Sequence, residues 1–166
     1  MPEIKDTHTI SMLVANKPGV LVRVALVFAR RAYNIDSLVV SPSINQKYSR
    51  MTITAKGDPA TLEQIIKNLN KLVDVLHASE HDMRTSIDRE LALLKVKATP
   101  TAKAAVVKFS KKYHAKIVDT SENTMIVAQS GTTTELDEFE VLLKKYGVVE
   151  MVRSGKLLMA VGKEST

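Results

Sequence analysis

Cysteine is absent from the 166 residues, which excludes disulfides, thiolate metal sites, iron–sulfur clusters and cysteine nucleophiles. Aromatic side chains make up 4% of the chain, too few to build the stacking platforms that hold single-stranded RNA. No apolar run approaches the ~18 residues of a membrane span. Met1 to Thr9 is polar and has no apolar leader core, so no secretory signal is expected. G-x-S-x-G, H-E-x-x-H and P-loop patterns are missing, and no carboxylate pair stands out from solvated surface charge. His77 and His81 have i,i+4 spacing, but the first falls in an expected strand and the second beyond it, so neither is assigned to a metal. These absences point to a soluble, cytoplasmic chain with no catalytic residue and no metal site.

What is present is a basic excess: 24 Lys plus Arg against 18 Asp plus Glu, a formal charge of +6. Residues 1–80 hold 10 basic and 7 acidic residues and residues 81–166 hold 14 and 11, so each half carries +3 and neither end is a charged tail. The densest basic patch is Lys103, Lys108, Lys111, Lys112 and Lys116. A solvated helix face explains it, and docking to an acidic partner surface is the other reading. An RNA-recognition module would suit the charge, but its base-stacking aromatics are missing: the third strand offers only Tyr48 and the first offers none. No nucleic-acid partner is expected. The 45% apolar content fits a folded chain, long enough for two small domains that are each marginal alone.

His8 to Val14 alternates as a strand with one buried face. Ala15-Asn16-Lys17-Pro18-Gly19 breaks it with turn residues, and Val20 to Arg31 fits a helix whose apolar stripe is Leu21, Val24, Ala25 and Phe28. Strands follow over Asn34–Val40 and Tyr48–Ala55. Asp58 and Pro59 open a second helix with Leu62, Ile65, Ile66 and Leu69 inward, and Val73–Ala78 is a fourth strand. This βαββαβ order predicts the ferredoxin-like plan, an α+β class. Ser79 to Arg89 reads as a linker. The order then repeats: strand Glu90–Lys97, helix Thr101–Tyr113, strands Lys116–Thr120 and Met125–Gln129, a helix from the Thr132 region to Lys145, and a strand over Val148–Met159 broken near Gly155. The domains expected are therefore 1–78, a linker at 79–89, and 90–166.

One loop has a clear physical use. Asn16-Lys17-Pro18-Gly19-Val20 precedes a helix, where free backbone N–H groups and the helix dipole favour an anion. Gly19 has no Cβ to block a small carboxylate, and Asn16 adds a side-chain amide. A plain strand-to-helix turn has the same composition, and spacing alone leaves both readings open.

Asn16-Lys17-Pro18-Gly19-Val20-Leu21, followed by Arg23-Val24 and Phe28, resembles the signature of ACT domains. Arg31-Ala32-Tyr33-Asn34-Ile35-Asp36-Ser37-Leu38, Ser49-Arg50-Met51-Thr52-Ile53, Leu62-Glu63-Gln64-Ile65, Leu69-Asn70-Lys71-Leu72-Val73-Asp74-Val75 and Arg89-Glu90-Leu91-Ala92-Leu93-Leu94-Lys95-Val96 are similar to the small, regulatory subunits of acetolactate (acetohydroxyacid) synthase, as is Val152-Arg153-Ser154-Gly155 near the end. The resemblance is dense over residues 8–97 and thin afterwards. It implies an N-terminal ACT domain and no active site in this chain. It further implies a catalytic subunit that carries thiamine diphosphate, magnesium and FAD and condenses two 2-keto acids. The small subunit would activate that enzyme and confer feedback inhibition by valine or another branched-chain amino acid. The effector would lie between two ACT domains of a homodimer, touched by Asn16, Gly19, Val20 and Leu21 of one chain and by Asn34 and Ile35 of the other. The alternative is an ACT-domain sensor of a different enzyme or a transcription factor. One departure concerns Ala32, where the family usually has Gly: a left-handed helix end there costs Ala roughly 1–2 kcal/mol, so a different helix end is expected, with consequences for Asn34.

Overall fold

The computed structural model describes residues 6–82, 84–163 and 166; the polar stretch Met1–Lys5, read above as lacking a leader, lies outside them. The chain forms two compact units, residues 1–88 with 156–166 and residues 89–155.

In the first unit, β1 (Asp6–Ala15), α1 (Val20–Ala29), β2 (Ile35–Pro42), β3 (Tyr48–Gly57), α2 (Pro59–Leu69) and β4 (Val75–Glu80) follow one another. The strands pair antiparallel in the order β2-β3-β1-β4. Alternation turns Ile10, Met12 and Val14 of β1, and Met51, Ile53 and Ala55 of β3, into the core. The helices add Val20, Val24, Phe28, Leu62, Ile65 and Leu69. Asp58 caps α2, its carboxylate accepting from the Thr61 N–H at 2.7 Å, with Pro59 in the first turn. The inward row of α1 is Val20, Val24 and Phe28. Leu21, expected inward, is 42% exposed, because an i,i+4 row that starts at Val20 leaves it about 100° round the helix.

The second unit repeats the plan. β5 (Ser86–Lys97), α3 (Pro100–Tyr113), β6 (Lys116–Thr120), β7 (Thr124–Gly131), α4 (Thr133–Lys144) and β8 (Val148–Arg153) give the strand order β6-β7-β5-β8; β9 (Leu157–Ala160), which groups with the first unit, pairs with β5. Ala92, Leu94, Val96, Val106, Val127 and Phe139 are among its core residues. Thr99 caps α3, and Thr132 with Glu135 forms a capping box on α4. Both units thus carry the same βαββαβ order and the same strand permutation, as the sequence pattern predicts.

The stretch expected as a linker is shorter than 79–89. β4 continues through Glu80 and β5 starts at Ser86. Ser79 pairs with Ser11 and Glu80 with Ile10, while Ser86, Asp88 and Glu90 alternate as buried strand residues. Serine and threonine line the far face of the first sheet, through Ser11, Thr9, Thr52 and Thr54, so strand ends there read as polar connection. The final strand does break near Gly155, which has φ 82°. Beyond the break, residues 156–166 group with the first unit: Lys156 lies 3.5 Å from Asp88, Val161 N–H donates to Thr85 at 2.9 Å, and Arg50 donates to the Thr166 carbonyl. No helix among the described residues is long and apolar enough to cross a membrane.

Candidate ligand-binding site

The loop after β1 is held by its neighbours rather than by a cap. Ala15 N–H donates to the Asp74 carbonyl and Asn16 N–H to the Lys47 carbonyl, both at 2.8 Å. The Asn16 side-chain amide donates to the Gln46 carbonyl at 2.9 Å, so it ties the loop to the turn between β2 and β3 and keeps its oxygen free. Gly19 is the residue before α1, at φ 83°, ψ −11°, with no side-chain cap. That left-handed conformation suits glycine. The helix bonds begin with Arg23 N–H to the Gly19 carbonyl at 3.2 Å. The N–H groups of Gly19, Val20 and Leu21 meet no acceptor among the described residues, and the first turn has no acidic side chain. These are the orphan donors of a helix start. The nearby carboxylate, Asp74, is engaged elsewhere, by Lys17 at 2.7 Å and Arg23 at 2.5 Å. The hydrogen bond from Lys17, and then the charge of Arg23, holds Asp74 below its ordinary pKa.

Asn34 and Ile35 sit at the other end of α1. The helix closes through Ala32 at φ 51°, with Tyr33 N–H donating to the Phe28 carbonyl at 3.1 Å, the six-to-one bond of a glycine-type helix end. The different end expected of Ala32 does not occur; alanine takes the left-handed conformation itself. Tyr33 is then buried against Phe28, ring centroids 6.5 Å apart, and burial raises its phenol pKa. Asn34 is exposed, its amide donating to Asp36 at 3.3 Å. Ile35 pairs with Ala55, which pairs with His8.

Within one chain the two groups stay apart. Ile35 lies in the row of His8, whereas Asn16 follows Ala15; seven residues of strand separate those rows by about 23 Å. Val20 is buried, and Leu21 is exposed. β2 is an edge strand, and on it Val40 is also 42% exposed.

The remaining polar chemistry is structural. His8 is buried between the Glu80 carboxylate at 2.7 Å and the Gly57 carbonyl at 3.2 Å. His81 meets the Ser11 hydroxyl at 2.5 Å and Ser79 at 3.2 Å, while His77 is exposed on β4. In the second unit, buried Glu90 accepts from Arg153 at 2.8 Å and from Thr133, and Arg153 reaches Asp137 at 2.5 Å. Among the described residues no three His, Asp or Glu side chains gather where they could hold a metal ion. Asp74 and Arg23 were not in the expected site set, and nothing local in the sequence joins them: they are 51 positions apart.

Comparison with known proteins covers both units. Residues 10–77 match the model of the AHAS small subunit-like ACT domain, and residues 89–162 match that of the small subunit of acetolactate synthase. The chain is 41% identical over 157 residues to a probable acetolactate synthase small subunit of Archaeoglobus fulgidus, covering 95% of this chain and 98% of that one. It is 40% identical over 156 residues to the acetolactate synthase small subunit of Mycolicibacterium smegmatis, covering 94% and 92%. The crystal structure of the acetolactate synthase small subunit from Thermotoga maritima superposes with a TM-score of 0.85 at 36% identity, covering 96% of this chain and 99% of that one.

Proposed function

Since this chain belongs to the acetolactate synthase small-subunit family, we propose that it is a cytoplasmic regulatory subunit that activates a catalytic subunit and makes it sensitive to valine or a similar branched-chain amino acid. Thiamine diphosphate, magnesium and FAD are the partner's in this reading. The chain itself contributes binding and conformational bias.

The observation that carries the effector site is the unoccupied donor set at the start of α1. Gly19, Val20 and Leu21 offer three N–H groups at the positive end of a helix whose first turn carries no acidic side chain. The effector carboxylate lies there, with Asn16 holding the loop. Asn34 and Ile35 come from a second copy, because in one chain they stand at the far end of α1. Two features support that homodimer. β2 is an open edge with unpaired backbone groups, and apolar Leu21 on α1 and Val40 on β2 are each 42% exposed. Leu21 and Ile35 then form the apolar wall for a branched side chain. An effector that binds only the assembled dimer stabilises it by mass action. It biases the state seen by the catalytic subunit by the difference in its affinity for the two states.

Reconstitution tests the reading. Mixing the chain with a thiamine-dependent acetolactate synthase catalytic subunit should raise acetolactate formation, and valine should lower it again. Calorimetry of the dimer with valine, leucine, isoleucine and serine names the effector. No activation removes the partner assignment; no heat with any of the four leaves the loop a plain turn.

A further inference from the structure

A groove of about 480 Å³ runs between α1 and α2. Val27 and Leu72 give it apolar walls, Asn68 supplies an amide, and Arg30 and Arg31 supply two guanidinium groups. Three nearby cations are matched: Lys17 and Arg23 share Asp74, and Lys67 pairs with Glu63. Arg30 and Arg31 are exposed, and among the described residues neither guanidinium has an ion pair or a hydrogen-bond partner. The negative end of α1 accounts for a cation near its C-terminus. It does not account for two guanidinium groups that open, with an amide, onto one apolar-walled groove.

We propose that this groove receives a segment of the catalytic subunit that presents a carboxylate beside an apolar side chain. The proposal rests on the regulatory-subunit reading. Planar guanidinium groups suit a carboxylate with two parallel hydrogen bonds, and Val27 with Leu72 takes the apolar neighbour. Such a pairing sets both orientation and partner choice. The groove also stays free in the proposed homodimer. At 100° per residue Leu21, proposed for that interface, lies about 120° round α1 from Val27.

The test titrates the full chain against the catalytic subunit and reads the concentration giving half-maximal activation. Arg30→Glu/Arg31→Glu should raise that concentration at least tenfold, Arg30→Gln/Arg31→Gln less, and Arg30→Lys/Arg31→Lys least. Valine calorimetry on each variant alone should give the parent affinity, which establishes that the first unit is folded. Lys103→Glu/Lys108→Glu, on the lysine-rich face of α3, should stay within twofold of the parent. Activation by the Glu and Gln variants within twofold of the parent overturns the groove and leaves the regulatory reading standing. Loss confined to the α3 variant overturns it too, by placing docking on the lysines. A parent chain that fails to activate overturns the regulatory reading and this proposal with it.

Discussion

Tyr33 occupies the space in which Gly57 would carry a side chain: a Cβ at position 57 would stand 2.1 Å from Cε2 of the ring. The ring is buried against Phe28, and its hydroxyl donates to the Asp58 carbonyl at 3.5 Å. The last residue of β3 is therefore glycine because an aromatic side chain from the end of α1 packs onto its backbone. Gly57→Ala forces a rigid ring to move and should cost ~1–3 kcal/mol, the usual range for an overfilled core. The fall in the urea midpoint measures it. Valine affinity should fall as well, since Asn34 and Ile35 follow the displaced tyrosine directly. An unchanged midpoint would mean that the ring moves aside without strain.

Ala32 makes the opposite prediction. It holds φ 51° in a helix end built for glycine, at a cost of roughly 1–2 kcal/mol for a residue with a Cβ. Ala32→Gly removes that cost but adds unfolded-state entropy of about 0.4–1 kcal/mol. The difference is a net stabilisation centred on about 0.8 kcal/mol within a range of roughly 0–1.6 kcal/mol, read as a higher urea midpoint with an unchanged slope. A lower midpoint would show that the backbone entropy outweighs the strain.

The fold was legible where the chain repeats a local rule. β1 and β3 alternate, Asp58-Pro59 and Thr132 announce helix starts, and both βαββαβ orders follow. What escaped depends on partners far along the chain. Ser79 and Glu80 look like linker until they meet Ser11 and Ile10 across the sheet. Residues 156–166 join the first unit through Lys156 with Asp88 and Val161 with Thr85, which no periodicity signals. Leu21 was misplaced because two apolar rows on α1 differ by one residue, and only the packing against the sheet selects Val20. At the candidate site, the loop and its glycine were legible from turn chemistry. The Asp74 clamp on Lys17 and Arg23 was not, since it joins residues brought together only by the β1–β4 pairing.

That clamp predicts a pH dependence. In the unfolded chain an aspartate titrates at about 3.9; in the fold, hydrogen bonding from Lys17 and the charge of Arg23 hold Asp74 lower. A carboxyl whose folded pKa is depressed contributes stability that is present above the unfolded value and is lost as pH falls through the folded one. Asp82, pulled down to about 2 by the Arg84 guanidinium, acts in the same direction. The urea midpoint of the parent should therefore fall on acidification below roughly pH 4. Asp74→Asn should flatten that limb without abolishing it, since Asp82 remains. Parallel midpoints for the two proteins from neutral to acid pH would show that the clamp contributes nothing.

The loop itself is tested by a pair of substitutions at Gly19 that differ only in charge. Position 19 is at φ 83°, and a Cβ there finds only the end of Arg23, at 3.7 Å, so a short side chain has room. Asparagine and aspartate tolerate the left-handed region better than other residues with a Cβ, which makes the backbone strain common to both. Gly19→Asn should weaken valine inhibition modestly through that strain. Gly19→Asp places a carboxylate over the N–H groups of Val20 and Leu21, where the effector's own carboxylate is proposed to bind. Its inhibition curve should move to at least tenfold higher valine than that of Gly19→Asn. The measurement is acetolactate formation by the reconstituted enzyme over a valine series. Coincident curves for the two variants would show that no anion binds at this helix start, and the effector would have to be sought elsewhere on the dimer.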